Sequence, residues 1–399
     1  MSSETLSQTQ TQTPKPLSIP ADPLDILLPL PKQTTDTNTI TILHELVDEI
    51  LSTNETYSVT FSPVLCPVEK DEGGGKNQLF TVKPYWWQTE DGKWEWRDGQ
   101  RNPECAKPQG QEQLQALAKE VHTLALGLLY ITDFERRQEC IGKIQTLLKT
   151  FFVDPETRME PQVRFSQCHP GEDPIRGNDA FVIAIRFLIL VDQAIILAGS
   201  CIDSRLVMQV KSWIHEQAEW MLTSEQGLKA KSSRKPLWYY VILSCHLRLS
   251  SDEESITQAK IAFGEWMNVY PTAEKAFENE LKHDNRRHRC LFTLEPIFLL
   301  ASLTVSRNQE SNQIPNDEIK DYLHNLIDFL KTKVEKGPIE DPLENDIRFK
   351  AKLEWFENIL KNWNNSLTDL DIQVKRQGPN GEGWQNGWNK RMRILWGFI

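Results

Sequence analysis

From Gln111 to about residue 363 the chain repeats one pattern. Apolar residues return every three or four positions, and no stretch alternates strictly between apolar and polar. Leu114, Leu117, Ala118, Val121, Leu124, Ala125 and Leu128 trace a single stripe at helical spacing. Comparable segments follow at 134–152, 178–199, 204–222, 237–249, 255–269, 290–306, 316–334 and 345–363. Helices that each hide one stripe must pack on other helices, so the fold class is all-α. A bundle, a solenoid and a closed toroid of helical hairpins all satisfy the pattern. The absence of an exact repeat of roughly 20–50 residues weighs against the regular solenoids.

Outside this region the composition changes. Residues 1–40 are rich in Ser, Thr, Gln and Pro and read as a disordered tail. Residues 41–110 form an N-terminal segment that opens with a short amphipathic helix at Thr41–Ser52 and carries a Trp/Arg-rich loop. The helical body spans 111–370, and 371–399 is a tail with Gly378, Gly381, Gly383 and Gly387 around Trp384 and Trp388. The start, MSSETLSQTQTQTPKP, has neither a basic stretch nor an apolar one and is not a secretory signal. The most apolar run, Ala180–Leu197, is interrupted by Arg186, Asp192 and Gln193, which marks a buried helix and no membrane span.

With 399 residues, 39% hydrophobic, the chain can bury a large core. A net charge of −11 argues against a nucleic-acid partner, since phosphate contacts need a basic face. An acidic ligand requires a locally basic cleft, and Arg and Lys do cluster at 97–101, 231–235 and 282–289. The seven cysteines stand singly, which is neither a disulfide framework nor a zinc pattern, and no cofactor site is visible.

The run KPYWWQTEDGKWEWRDGQRNPE (83–104) sets Trp86, Trp87, Trp94 and Trp96 beside Arg97, Arg101 and the turn-forming pair Asp98-Gly99. Indole faces stack on the apolar faces of sugars, and guanidinium groups hold carboxylates with two parallel donors. This equips the segment for an acidic carbohydrate. The plainer alternative is an aromatic core for a small lobe.

Four blocks in order resemble the alginate lyase superfamily. They are PYWWQTEDGKWEWRDGQRNPE, then FFVDPETRMEPQVRFSQCHPGEDPIRG (151–177), then WMLTSEQG (220–227) leading to WYYV (238–241), then ELKHDNRRHRCLFTLE (280–295). The resemblance covers about 83–305. It implies polysaccharide lyases built on an incomplete (α/α) toroid, with chemistry in the groove across the ring, an acidic polysaccharide as partner and a periplasmic or secreted setting. Such enzymes cut uronate polymers by β-elimination. The C5 carboxylate must be neutralised, the C5 proton removed and the departing oxygen protonated. No metal or organic cofactor is implied.

The chain departs from the pattern at two places. The resemblance leads to Asn-Asn-His ahead of Trp238-Tyr239, but Lys231-Ser232-Ser233-Arg234-Lys235 stands there. A guanidinium cannot act as a base near neutral pH, though Arg234 can neutralise a carboxylate. In the fourth block an Arg followed by His-Tyr is implied. Here His283 falls on the Arg, His288 on the His and Arg289 on the Tyr, with Arg286 and Arg287 close by. The candidate proton carriers are therefore His288, Tyr239 and Tyr240. The candidate substrate-binding residues are Trp86, Trp87, Arg97, Arg101, Gln167, Arg176, Arg234 and Arg289. Each has a structural alternative: a helix-start imidazole for His288, a core phenol for one of the tyrosines, a loop-bracing amide for Gln167, and a loop ion pair with Glu172 or Asp173 for Arg176. His122, His215 and His246 lie on periodic helices and read as structural, and His169 is a weaker candidate.

Three functions compete: a lyase for uronate polymers, a lyase-fold protein that binds acidic glycans without cutting them, and an intracellular helical scaffold whose groove is filled by its own loops or C-terminal tail. Loss of the Asn-Asn-His and Tyr groups favours binding over cutting, while the resemblance as a whole favours the lyase.

Overall fold

The computed structural model describes residues 37–108, 110–233, 236–249, 252–304, 316–335 and part of 349–360. Residues 1–36, Arg234-Lys235 and the segment 371–399 lie outside the described residues. The helices are α1 (Thr37–Leu51), α2 (Gly110–Gly127), α3 (Phe134–Phe152), α4 (Phe181–Ile185), α5 (Leu188–Ala198), α6 (Ser204–Thr223), α7 (Glu225–Lys231), α8 (Leu237–Arg248), α9 (Asp252–Val269), α10 (Ala273–Phe277), α11 (Arg286–Thr304) and α12 (Asn316–Lys333).

Two kinds of helix alternate along the chain. α2, α5, α8 and α11 pack on one another in that order. α8 is buried from end to end, as is nearly all of α5, because their sequences LWYYVILSCHLR and LILVDQAIILA are apolar on every side. The helices that follow them, α3, α6, α9 and α12, are amphipathic and pack outside. In α3, for instance, one stripe is buried, from Arg137 and Cys140 through Ile144, Leu147 and Leu148 to Phe151 and Phe152. An inner ring of largely buried helices, each paired with an outer one, is the incomplete (α/α) toroid that the resemblance implied. The bundle and solenoid alternatives drop out.

Where the structure departs from the sequence pattern, the reasons are local. The expected helix 178–199 is two helices, α4 and α5, separated at Arg186-Phe187, where the Arg186 guanidinium turns back onto the Ile183 carbonyl. The stretch Phe181–Cys201 is long and apolar enough to cross a bilayer, but 78% of it is buried inside the ring. α1 begins at Thr37, ahead of the expected Thr41. α7 and α10 are too short and too polar to leave a periodic stripe. Ser224, whose hydroxyl accepts from the Gly227 N–H, starts α7, and Thr272, accepting from Lys275, starts α10.

All seven cysteines are free thiols, six of them buried. The core also encloses two imidazoles. His122 on α2 donates Nε2–H to Gln193 Oε1 at 2.5 Å, and burial pushes its pKa down to about 4, so the ring is neutral. His246 on α8 donates Nδ1–H to Asp192 Oδ2 at 2.8 Å, and its Nε2 sits 2.9 Å from Gln217 Oε1. Burial raises the Asp192 pKa, against the pull of His246.

Candidate functional site

The aromatic run folds as a two-stranded antiparallel hairpin, β1 (Trp86–Gln88) and β2 (Trp94–Trp96). Gly92, at φ +80°, closes the turn, and the Thr89 N–H reaches the Lys93 carbonyl at 2.8 Å. Trp86 lies opposite Trp96, Trp87 opposite Glu95 and Gln88 opposite Trp94. Side chains alternate along a strand, so Trp86, Trp94 and Trp96 share one face and Trp87 lies on the other.

Each tryptophan of the first face meets a loop of the ring. Trp86 packs edge-on against His169, with ring centroids 3.9 Å apart. Trp94 lies against Gly171, where an added Cβ would come 2.3 Å from its Nε1, so only glycine fits. Trp96, 44% exposed, stands edge-on to His283 at 6.1 Å. On the reverse face Trp87 donates to the Gln100 carbonyl, and the Arg97 guanidinium sits 5.1 Å from its ring while binding Glu95. The single run therefore splits into an inward aromatic face and an outward, self-satisfied one.

Asp98 anchors the far end of the hairpin. Its carboxylate accepts from His283 Nδ1 at 3.0 Å, from Arg289 Nη2 at 3.2 Å and from the Asp284 backbone N–H at 2.9 Å. Burial opposes its ionisation, but the Asp284 N–H, His283 and Arg289 together outweigh this and hold its carboxyl below the usual range. Arg289 is further fixed by Nε donation to Asn285 Oδ1 at 2.9 Å. The hairpin thus bridges the loop at 167–177 and the start of α11.

The continuations of those two segments line a cleft. Asp179, Ala180, Val182 and Ile183 form one side, and Phe292, Thr293 and Pro296 of α11 another; Ser233, Trp238 and Trp266 complete it, around a volume of about 280 Å³. That is near the lower end for small-molecule sites and suits part of a polymer. Asp179 is the one ionisable side chain among the described lining residues. Behind Phe292 the Arg186 guanidinium lies 5.5 Å from its ring and 4.3 Å from that of Phe187. Trp238 is buried, and its Nε1–H has no hydrogen-bond partner among the described residues.

The remaining candidates are dispersed. Tyr239 is fully buried and donates its hydroxyl to the Met221 carbonyl at 3.1 Å; burial, with some help from Tyr240, pushes its pKa up to about 12. Tyr240 is also buried, edge-on to Tyr239, and burial raises its pKa. Both phenols belong to the core. His288 is exposed on the first turn of α11. Gln167, at φ +57°, is the one non-glycine residue with positive φ among the described residues. It is buried, its N–H reaches Thr81 Oγ1 at 2.7 Å, and its carbonyl accepts from Asn178 Nδ2, so it braces the loop. Arg101 and Arg176 are exposed, and Arg176 lies close enough to Glu225 to help depress that carboxyl. Arg234 lies outside the described residues.

Sequence reasoning missed the role of Asp98, read only as half of a turn, and the pairing of His283 with it. It also missed Arg186, although an arginine inside an apolar run is a readable signal, and Trp266, which nothing in its amphipathic helix distinguishes. Among the described residues no group of His, Cys, Asp or Glu is arranged to hold a metal ion.

Comparison with known proteins sets this geometry in context. The alginate lyase family model matches residues 67–340. The crystal structure of an alginate lyase from Bacteroides ovatus superposes with a TM-score of 0.68 at 20% identity, covering 90% of this chain and 92% of that one. Alginate lyase A1-III from Sphingomonas species A1 gives 0.39 at 11% identity, covering 84% and 88%. No curated protein sequence matches the chain. The family match takes in the hairpin, the 167–177 loop, the cleft and the start of α11, and by it the chain belongs to the alginate lyase family.

Proposed function

We propose that the protein holds a uronate-containing polysaccharide along the hairpin rim of the cleft and cuts it by β-elimination. One observation carries the reading: Trp86, Trp94 and Trp96 share a single hairpin face, and that face is pinned by Asp98 to the basic start of α11. The exposed indole of Trp96 offers a stacking platform for a sugar ring. Arg289 supplies a cationic group beside it, in a protein whose net charge is −11. The Trp238 indole N–H is a donor that a sugar hydroxyl can satisfy, and the Arg186 charge behind Phe292 favours an anionic guest in the adjoining cleft.

β-Elimination needs neutralisation of the uronate carboxylate, because the C5 proton is otherwise far too weakly acidic. Guanidinium groups at the rim suit that task. A test is incubation with alginate, glucuronan and related polymers, following the ultraviolet absorbance of the unsaturated uronate end. A rise confirms the reading; a flat trace across the panel removes it.

A second reading, binding without cleavage, is favoured by the cleft wall. Phe292, Trp238 and Trp266 line it, and both neighbouring phenols are locked in the core. On that reading the polymers bind with salt-sensitive affinity, and no unsaturated product forms.

A further inference from the structure

The lyase reading leaves the proton carrier unassigned: Tyr239 and Tyr240 are buried, His288 is exposed on the first turn of α11, and the wall residue Phe292 has no ionisable oxygen. We propose that His283 is that carrier and that Asp98 is its positioning residue, a His–carboxylate pair assembled only when the tryptophan hairpin docks on the start of α11. The proposal rests on the lyase reading of the same site and goes beyond it by assigning the chemistry.

Four observations support it. The Asp98 carboxylate faces His283 Nδ1 with both oxygens at 3.0 Å, which fixes the Nδ1–H tautomer in the neutral ring. The other ring nitrogen, Nε2, is then a lone-pair base, and it has no hydrogen-bond partner among the described residues. Arg289, on the same carboxylate at 3.2 Å, already balances its charge, so the ring need not be protonated to satisfy Asp98. Finally, His283 keeps 28% of its side chain accessible and stands edge-on to the exposed indole of Trp96, where a stacked sugar would rest. Asp98 contacts the ring directly, and Arg289 shares its carboxylate.

The step balances without a co-reactant. His283 Nε2 takes the C5 proton of the uronate. The C5–H electron pair becomes the C4–C5 double bond as the C4–O bond breaks, and the imidazolium returns the proton to the departing oxygen. Nothing is oxidised or reduced, and the ring ends neutral, as it began.

The experiment compares the full-length wild type with His283→Gln and Asp98→Asn on the polymer panel. The glutamine keeps an N–H for Asp98, so the hairpin stays docked while the base is lost. His283→Gln should lower kcat about 100-fold or more, with melting temperature unchanged. Asp98→Asn should lower kcat and reduce the share of the Nδ1–H tautomer of His283, read from its two ring nitrogen resonances, because the carboxylate that selects that tautomer is gone. If kcat falls while the tautomer ratio stays put, Asp98 is only a structural latch and its positioning role is overturned. In parallel, binding of a uronate trisaccharide should shift the His283 Nε2 nitrogen resonance. If the wild type cuts and His283→Gln cuts as fast, the proposal is overturned while the lyase reading stands. If the Nε2 resonance does not move on binding, it is likewise overturned. A wild type that yields no unsaturated product overturns both together.

Discussion

Two of the imidazole–carboxylate pairs among the described residues have nearly the same bond and opposite surroundings. His246 and Asp192 meet at 2.8 Å with both side chains wholly inaccessible, and the second ring nitrogen is taken by Gln217. His283 and Asp98 meet at 3.0 Å with 28% and 18% of their side chains accessible, and an exposed tryptophan stands alongside. The core pair joins α5 and α8 and braces the inner ring. The rim pair joins a hairpin to the start of α11. A His–Asp contact is therefore not in itself a sign of chemistry. Whether a ligand can reach the second nitrogen decides what the pair can do.

The sharpest break of this contrast is to remove the histidine from the core pair. His246→Ala leaves Asp192 buried without its partner and should lower the unfolding free energy by roughly 3–5 kcal/mol in chemical denaturation. A loss below about 1 kcal/mol would mean that the core pair is no more structural than the rim pair.

The next effect is a pH dependence. His122 has a folded pKa of about 4 against an ordinary 6.5, so the folded state binds its proton less well than the unfolded chain does. Its contribution is complete above pH 6.5 and is lost as pH falls from there towards 4, at roughly 1.4 kcal/mol per pH unit. His122→Gln should flatten stability over that window, measured as the unfolding midpoint against pH. An unchanged slope would show that the ring takes up a proton without cost.

Asp98 should act more weakly and at lower pH. Its three hydrogen bonds are partly solvated, so Asp98→Asn should cost about 1 kcal/mol. Because its folded pKa is depressed below 3.8, the contribution is present above that value and disappears as pH falls through the folded one. A loss comparable to that of His246→Ala would erase the distinction between rim and core.

The all-α class was legible in the sequence because its signal is redundant, and the toroid followed from the resemblance of the four blocks. α3 and α8 each bury many apolar groups at helical spacing, and a one-residue error changes little. The break at Arg186 was not legible, since periodicity cannot register one guanidinium folding back on Ile183. The site was legible only in part. Four blocks in order pointed to the right family, yet Tyr239 and Tyr240 looked available until the inner helix enclosed them. Asp98 and His283 are 185 residues apart, and no local pattern announces a contact over that distance.

The two faces of the hairpin give the finest version of the same comparison. Trp86, Trp94 and Trp96 meet the loops of the ring, with Trp96 left exposed, whereas Trp87 and Arg97 satisfy each other and their own strand on the reverse side. If access decides function, Trp96→Ala should weaken uronate-polymer affinity by about fivefold to tenfold, the loss of one stacking platform worth roughly 1–1.5 kcal/mol. Arg97→Ala should change it less than about twofold, because that guanidinium is already held by Glu95 and stacked on Trp87 and gives up little to a ligand. Titration calorimetry at two salt concentrations separates the cases, since an Arg97 that did grip carboxylates would also flatten the salt dependence when removed. Equal losses from the two variants would mean that the polymer wraps both faces, and position relative to the cleft would no longer predict which aromatic matters.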